Sequence, residues 1–239
     1  MARSSLKESA IESLVNTSFS MMYRQVRSIE NKGVSMLHTS RSFGFYRRVF
    51  YQGMVEEALL ASLKNRRVVD VGCGYTPYAQ DSMFQACHRA EIEFYGVDPV
   101  LKTTPSFGFK ERALAKLVGS SGSFNTNAAG LKKALPATAQ SLPFDDQSVD
   151  EVLCSYLLFV WIEDERLLAD IFNEFDRVLK PDGVLKLYPL FKWNQAGFTE
   201  PAFLDVLGKY FVKQQFVHNG LDFRVLPSFL TSFSKNGER

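Results

Sequence analysis

The residues best suited to chemistry lie in one short stretch, where Asp70 ends a run of β-branched residues and Gly72 and Gly74 follow. A run of this kind that stops at Gly-x-Gly is typical of a buried parallel strand. Glycines there let the backbone pass close to a ligand, at the strand end where open α/β sheets bind nucleotides. Thr76 and Pro77 suit a helix start, so the sequence predicts that a helix begins at once. The stretch therefore predicts a site for a nucleotide-type cofactor.

A second carboxylate, Asp98, stands at the end of another apolar run, 92–98, which predicts the next parallel strand. A carboxylate accepts two hydrogen bonds at once, so Asp98 is placed to bind both hydroxyl groups of a cofactor ribose. The alternative is that Asp98 forms only the turn before Pro99. Both interpretations stay open at this point.

Side chains for proton transfer and for metal binding are few. The chain has three histidines, of which His88 falls in a predicted crossover helix and is assigned a structural role. His38 and His218 are the remaining candidates for a general base. The three cysteines show no metal-ligand spacing and suit a reducing compartment, so the sequence predicts no metal site.

The elements that must position these residues alternate between helix and strand. Apolar periodicity predicts helices at about 6–30, 46–63, 166–179 and 201–210. Strands are predicted at about 67–71, 92–98, 151–154, 184–188, 212–217 and 229–234, with a turn at 180–183. A strand–helix–strand order implies a right-handed parallel unit, so we expect an α/β protein.

One connection stands out by its length. The stretch between Asp98 and Thr138 is long for a crossover with a single helix, and it contains a tract rich in Gly, Ser and Asn at 119–127. It is either a lid over the site or a surface loop without a role. We divide the chain into an N-terminal helical segment, 1–64, and a main domain, 65–239, with this insertion at about 101–135.

The composition is that of an ordinary globular protein, with 239 residues, 46% hydrophobic and 23% charged, and a net charge of +2. The charge is uneven, because residues 1–67 hold eleven Lys and Arg against five Asp and Glu. This basic segment is either a solvated helix surface or a contact with an anionic partner. No secretory segment and no apolar run of about 20 residues is evident, which predicts a cytoplasmic protein without a membrane span.

Four sequence blocks occur in order at successive predicted strand ends, and they lie at 68–74, 95–98, 139–150 and 177–183. Together they resemble the class I S-adenosylmethionine-dependent methyltransferases, in particular the small-molecule branch known as the type 11 methyltransferase domain. The resemblance covers about residues 66–190. It implies S-adenosyl-L-methionine as cofactor and a Rossmann-like, doubly wound, seven-stranded, mostly parallel sheet, to which residues 1–64 add a helical cap.

The resemblance also assigns residues to parts of the cofactor. It places Asp70 and the glycine turn at the amino-acid end, Asp98 at the ribose, Ala139 and Gln140 along the adenine, and the residues just after the fourth strand beside the methionine moiety. For Tyr156 a packing role is an equal alternative. The full set of implied cofactor-binding residues is Asp70, Gly72, Cys73, Gly74, Asp98, Pro99, Ala139, Gln140, Ser155 and Tyr156.

Three positions separate the possible cofactors. The family often has a third glycine where this chain has Thr76, and an acid where it has Thr138. A hydroxyl at 138 still accepts a hydrogen bond, although an uncharged one. A nicotinamide dinucleotide would instead need a glycine at position 77 for close helix–strand packing, and Pro77 stands there. We therefore favour S-adenosyl-L-methionine over NAD.

The reaction that the resemblance implies is methyl transfer to an oxygen or nitrogen nucleophile. Aromatic residues outside the four blocks suit a small aromatic or apolar acceptor, or they form only a cap on the sheet; they are Tyr23, Phe43, Phe45, Tyr46, Phe50 and the loop 191–194. A macromolecular acceptor, RNA or protein, docked on the basic N-terminal segment is the second hypothesis. The sequence 154–157 lacks the Pro-Pro-Tyr loop common in RNA base methyltransferases, and no strong basic stripe is present, which counts against nucleic acid. A cofactor-binding partner protein without catalysis is the third.

Overall fold

A computed structural model describes residues 10, 11, 13–15, 17, 21, 39–117, 120–218 and 227–235. The helices α1 to α6 span Phe43–Phe50, Glu56–Ser62, Met83–Arg89, Phe109–Leu117, Glu165–Val178 and Pro201–Leu207. The strands β1 to β7 span Arg67–Val71, Glu93–Val97, Ala134–Leu135, Val149–Ser155, Leu179–Leu190, Phe211–Val217 and Ser228–Ser234. The described residues before 39 are also helical, within the helix predicted at 6–30.

The strands form one seven-stranded sheet in the order β3-β2-β1-β4-β5-β7-β6. The first five strands pair in parallel, and β7 runs antiparallel to both β5 and β6. After β1 the chain builds outward through β2 and β3, then returns to place β4 on the other side of β1. This switch point is where open α/β sheets bind ligands. The predicted seven-stranded, mostly parallel, doubly wound sheet is confirmed.

Helices cover both faces of the sheet because strand side chains alternate. Val69, Val71 and Val152 face α5 and α6 in one apolar cluster. Val68 and Leu153 point the other way, into a cluster built by α1, α2 and α3. The same alternation places the polar side chains of Asp70 and Ser155 on the α1 face.

The strongest periodic signal in the sequence corresponds to α5. Its first turn is capped by Asp164, whose carboxylate accepts from the Leu167 backbone N–H at 2.9 Å. Its buried side chains recur at three- and four-residue spacing, and they are Leu168, Ile171, Phe172, Phe175 and Val178. The helix lies within one residue of the predicted range 166–179.

The prediction that a helix begins at Thr76 and Pro77 is wrong. These residues form a short 3-10 turn, and α3 begins at Met83 with Ser82 as its N-cap, accepting from the Gln85 N–H at 3.2 Å. The physical reason is a distant contact, because the Thr76 hydroxyl accepts from the backbone N–H of Arg41 at 3.1 Å. It therefore caps no helix.

Two other predicted elements differ from the structure. The single helix expected at 46–63 is divided into α1 and α2, because Gln52 and Gly53 adopt left-handed backbone angles, with φ of 53° and 74°. The turn expected at 180–183 lies inside β5 as an irregularity, where the pairing jumps from Leu179 to Val184. No helix of the described residues combines the length and apolarity that a membrane crossing requires.

Candidate functional site

The turn after β1 requires both of its glycines. Gly72 and Gly74 have φ of +75° and +54°, which side chains with a Cβ rarely adopt. A Cβ on Gly74 would lie 2.3 Å from the carbonyl oxygen of Thr39, and one on Gly72 would lie 2.8 Å from the side chain of Leu157. Segments before β1 and after β4 thus close around the turn.

The backbone amides of this turn are all used inside the protein. Those of Gly72 and Cys73 donate to the Val97 carbonyl, and that of Gly74 donates to Asp98. The next two amides, at 75 and 76, donate to the carbonyls of residues 39 and 73. A turn that binds a pyrophosphate presents its amides to the anion. This turn does not, which agrees with the exclusion of a dinucleotide on the basis of Pro77.

Cys73, in the middle of the turn, packs as a small apolar group. Burial raises the pKa of its thiol well above the usual value, and nearby Asp70 and Asp98 raise it further. Its Sγ lies 3.6 Å from the Gly74 carbonyl oxygen. A protonated thiol in this setting is neither a nucleophile nor a metal ligand. Among the described residues, no cluster of His, Cys, Asp and Glu side chains is arranged to hold a metal ion.

Asp98 is buried and holds two parts of the site together. One carboxylate oxygen accepts from the Gly74 N–H and the other from the Val100 N–H, both at 2.9 Å. Asp98 thus forms the turn before Pro99, as the alternative interpretation expected, and Pro99 opens that turn at the surface. A carboxylate has about four lone-pair positions, so these two hydrogen bonds use only part of its acceptor capacity.

Asp70 is a buried carboxylate with an open acceptor atom. It is 1% exposed, and its Oδ2 accepts a short hydrogen bond from the Tyr46 hydroxyl of α1. Its Oδ1 is buried and has no hydrogen-bond partner among the described residues. Burial raises the pKa of this carboxyl to about 7, while the Tyr46 hydrogen bond and Arg41 act to lower it. A cationic N–H donor is the partner that such an atom lacks.

Arg41 and Tyr156 meet above the switch point. The guanidinium of Arg41 lies 4.5 Å from the Tyr156 ring centroid and 5.3 Å from that of Phe45. Tyr156 follows Ser155, the last residue of β4, and it has the unusual φ of +57° for a bulky side chain. Its backbone N–H donates to the Tyr188 carbonyl at 2.7 Å, which keeps the residue beside β5.

The predicted adenine segment is fastened by α5. Ala139 is buried and Gln140 exposed, in a tight turn where the Ser141 N–H donates to the Thr138 carbonyl at 3.2 Å. Arg177 of α5 donates to the carbonyls of Leu142 and Phe144, at 3.1 and 2.9 Å. The last of the four sequence blocks therefore positions the third.

The insertion contacts the glycine turn. Phe107 and Phe124 stack with ring centroids 4.1 Å apart and planes 4° apart. Phe107 also meets the edges of Tyr75 and Tyr78 at 5.3 and 5.6 Å. Part of the insertion therefore packs against the residues that follow Gly74.

A group of aromatic side chains follows the ends of β4 and β5. We call it the post-strand aromatic group, and its members are Phe159, Phe191, Trp193 and Phe198. The rings of Phe191 and Trp193 are parallel within 5°, with centroids 6.2 Å apart, and Trp193 is 5.2 Å from Phe198. All but Phe159 are half-buried.

The candidate bases and the N-terminal aromatics lie elsewhere. His218 is exposed after β6, stacked on Phe216, and His88 packs against Gly130 at the end of α3. Phe45, Tyr46 and Phe50 are buried in the core between α1 and the sheet, while Phe43 is half-buried. His38 and Tyr23 lie outside the described residues.

Sequence reasoning missed two of the groups at this site. From the sequence, Arg41 was only one of several basic residues in the N-terminal segment. Tyr46 was only one of several aromatic residues considered for acceptor binding. Their contacts join residues 24 or more positions apart, from α1 and the segment before it to β1 and the turn that follows. The one available signal was their position just before a predicted nucleotide-type site.

Comparison with known proteins gives one family match. Residues 69–187 match a family described as a methyltransferase domain, a segment that contains all the predicted cofactor-binding positions and excludes Arg41 and Tyr46. The chain has no match among curated proteins.

Several solved structures are similar. A methyltransferase from Thermotoga maritima, described as a possible histamine N-methyltransferase, is 17% identical over 81% of this chain and 93% of that one, with a TM-score of 0.39. A putative methyltransferase from Methanococcus maripaludis is 13% identical, with 86% and 99% covered and a TM-score of 0.41. The 1,6-didemethyltoxoflavin-N1-methyltransferase of Burkholderia thailandensis is 16% identical, with 75% and 76% covered and a TM-score of 0.42.

Proposed function

Because this chain belongs to the class I S-adenosylmethionine-dependent methyltransferases, we propose that it methylates an oxygen or nitrogen atom of a small aromatic or apolar molecule. The cofactor, S-adenosyl-L-methionine, supplies a methyl group that is already activated by its sulfonium. In this transfer the acceptor would bond to the methyl carbon as the carbon–sulfur bond breaks, which would leave S-adenosylhomocysteine, and the proton of the acceptor would pass to water. The work left to the protein is alignment and the exclusion of water, which is worth ~7–11 kcal/mol in well-oriented reactions.

The polar groups of the site suit this cofactor. The open Oδ1 of Asp70 matches an ammonium, and the buried Asp98 carboxylate, at the end of the neighbouring strand β2, is a hydrogen-bond acceptor of the kind that ribose hydroxyls need. The turn between them offers no free amides for a phosphate, and S-adenosyl-L-methionine has no phosphate. These observations support the assignment of Asp70 and Asp98 to the cofactor.

The observation that carries the proposal for the acceptor is the post-strand aromatic group. Its members follow β4 and β5 in the chain, after the carboxyl-terminal strand ends at which ligands bind in this type of fold, and they pack against the cluster that α5 and α6 form. Trp193 and Phe198 are half-buried, and their exposed parts add planar apolar surface suited to an aromatic partner. A small aromatic or apolar acceptor is the ligand that these faces suit.

The acceptor class is tested by following a labelled methyl group. The protein is incubated with S-adenosyl-L-methionine labelled in the methyl group and, separately, with small-molecule, total RNA and protein fractions of a cell extract. We expect label in the small-molecule fraction, in organic-extractable products, and its loss with Asp98→Ala. Label in precipitated RNA or protein would instead establish the macromolecular hypothesis.

A substitution in the aromatic group separates acceptor binding from cofactor binding. Once an acceptor is found, Trp193→Ala is expected to raise its KM while leaving the Kd of the cofactor unchanged, because Trp193 contacts the aromatic group and not the glycine turn. Leu204→Ala, on the exposed face of α6, is the matched control. An unchanged KM would show that the aromatic group is only part of the core.

A further inference from the structure

We propose that Arg41, which lies outside the matched family segment, binds the α-carboxylate of the cofactor's amino-acid moiety. The inference rests on the proposed function in one respect, the use of S-adenosyl-L-methionine at this site. It adds a binding residue for the end of the cofactor that carries both a positive and a negative charge.

The position of Arg41 is fixed from both sides of the switch point. Its backbone N–H donates to the Thr76 hydroxyl in the turn after β1, at 3.1 Å. Its guanidinium stacks on Tyr156, the first residue after β4, with 4.5 Å from Cζ to the ring centroid. The charge therefore lies between the carboxyl ends of β1 and β4, the neighbouring parallel strands that flank the switch point.

Within the described part of the chain, no Asp or Glu carboxylate forms an ion pair with the Arg41 guanidinium. Arg41 is 9% exposed, and its Nε is buried with no hydrogen-bond partner among the described residues. Buried charges in proteins are paired, because the loss of hydration is otherwise uncompensated. Stacking on an aromatic ring supplies only part of that compensation and leaves the N–H edge of the guanidinium for a carboxylate.

Asp70 supplies the opposite charge on the same face. Its open Oδ1 is as buried as the Arg41 Nε, and the charge of Arg41 partly opposes the burial that raises the pKa of this carboxyl. Two buried groups of opposite sign, each with an open hydrogen-bonding atom, match a zwitterion. In an α-amino acid the ammonium and the carboxylate are attached to one carbon, so a single moiety satisfies both groups.

The strained backbone at Tyr156 indicates that this arrangement serves a ligand. An aromatic residue at φ of +57° is strained, and such strain concentrates at ligand sites. The hydrogen bond to Tyr188 maintains that conformation and keeps the ring against the guanidinium. Arg41 is consequently preorganised before the ligand arrives.

The test compares the cofactor with its decarboxylated form. Binding of S-adenosyl-L-methionine and of decarboxylated S-adenosylmethionine is measured by calorimetry for the wild type, Arg41→Met and Arg41→Lys. We expect Arg41→Met to raise the Kd of S-adenosyl-L-methionine at least about tenfold and the Kd of the decarboxylated form less than about twofold. The reason is that only S-adenosyl-L-methionine carries the carboxylate. Arg41→Lys, which retains the charge, is expected to recover part of the loss.

Controls distinguish the possible failures. Arg89→Ala, an exposed arginine at the end of α3, is expected to change neither affinity. Equal weakening of both ligands by Arg41→Met, with the Lys variant no better, would assign Arg41 to the structure of the site and overturn the proposal. Unchanged binding of both ligands would also overturn it. If the wild type binds neither ligand, the cofactor assignment itself is wrong, and the proposal fails with it.

Discussion

At the scale of single residues, the site depends on carboxylates that the fold keeps away from water. Asp70 has one oxygen held by Tyr46 and one open, and burial raises the pKa of this carboxyl to about 7. In the unfolded chain the same carboxyl titrates near 3.8. Between these two values the folded state therefore binds a proton that the unfolded state does not.

This difference predicts a pH dependence of stability. Because the native state holds the extra proton, the free energy of unfolding of the cofactor-free protein falls as pH rises from about 4 to about 7. Asp70→Asn removes the titration, so its Tm should exceed that of the wild type at pH 8 and approach it at pH 5. At pH 8 the free energy of unfolding of the Asn variant should exceed that of the wild type by on the order of 4 kcal/mol. Thermal melts over this range measure it, and a gap between the two proteins that is constant with pH would contradict it.

Asp98 carries a prediction of a different kind, because it serves both the cofactor and the turn. Asp98→Ala removes the expected ribose acceptors and leaves the N–H groups of Gly74 and Val100 without partners. We expect at least a tenfold loss of cofactor affinity by calorimetry. The exposed Asp205 on α6 provides the control Asp205→Ala. An affinity for Asp98→Ala equal to that of the wild type would show that Asp98 is only a turn residue.

The candidate bases are constrained by position in the sheet. Neighbouring strands are ~4.8 Å apart, so β6, three strands from β4, places His218 ~14 Å from the end of β4. That separation exceeds the reach of direct proton transfer. His218→Ala should therefore change kcat by less than about twofold in a methyl-transfer assay. A tenfold or larger loss of kcat would show that His218 takes part in the reaction.

At the scale of elements, the insertion contacts the glycine turn, and α5 fastens the predicted adenine segment. Phe107 and Phe124 stack against each other beside the glycine turn. The double substitution Phe107→Ala with Phe124→Ala should raise the Kd of the cofactor several-fold by loosening Tyr75 and Tyr78. The control is Phe109→Ala, because Phe109 is 88% exposed on α4. Equal affinity of the double variant and the wild type, measured by calorimetry, would mean that the insertion has no part in binding.

Elements defined by local periodicity could be predicted from the sequence, and those decided by distant contacts could not. Strand β1 and helix α5 were predicted within a residue, because their apolar spacing is strict. The start of α3 was not, since the hydroxyl of Thr76 is engaged by Arg41, 35 positions away. At the site, the glycine turn and Asp98 were evident from type and spacing. The pairing of Tyr46 with Asp70 has no local signal.

At the scale of the whole molecule, an ionic cluster around one buried carboxylate joins the N-terminal helices to the sheet. Glu151 of β4 is fully buried, with its carboxylate 2.7 Å from Lys186 Nζ and 3.2 Å from Arg66 Nη2. Lys186 also lies over the ring of Tyr51, directly after α1, at 4.6 Å. Segment 39–50, which supplies Arg41 and Tyr46 to the site, is therefore anchored to the centre of the fold.

This cluster predicts a large effect on stability. Glu151→Ala leaves the half-buried Lys186 without its anion. Breaking a fully buried pair costs about 3–5 kcal/mol, and the partial exposure of Lys186 places the expected loss at the lower end, about 3 kcal/mol. The control is Asp146→Ala, whose ion pair with Arg177 is mostly exposed and is worth less than about 1 kcal/mol. Denaturant unfolding measures both free energies, and similar losses for the two variants would contradict the argument.

The central claim is that the strand ends at the switch point bind S-adenosyl-L-methionine and not a dinucleotide. Calorimetric titration of the wild type with S-adenosylhomocysteine, and in parallel with NAD, tests it most directly. We expect one molecule of S-adenosylhomocysteine to bind per chain and no heat of binding from NAD. No binding of S-adenosylhomocysteine, or binding of NAD in its place, would contradict the claim.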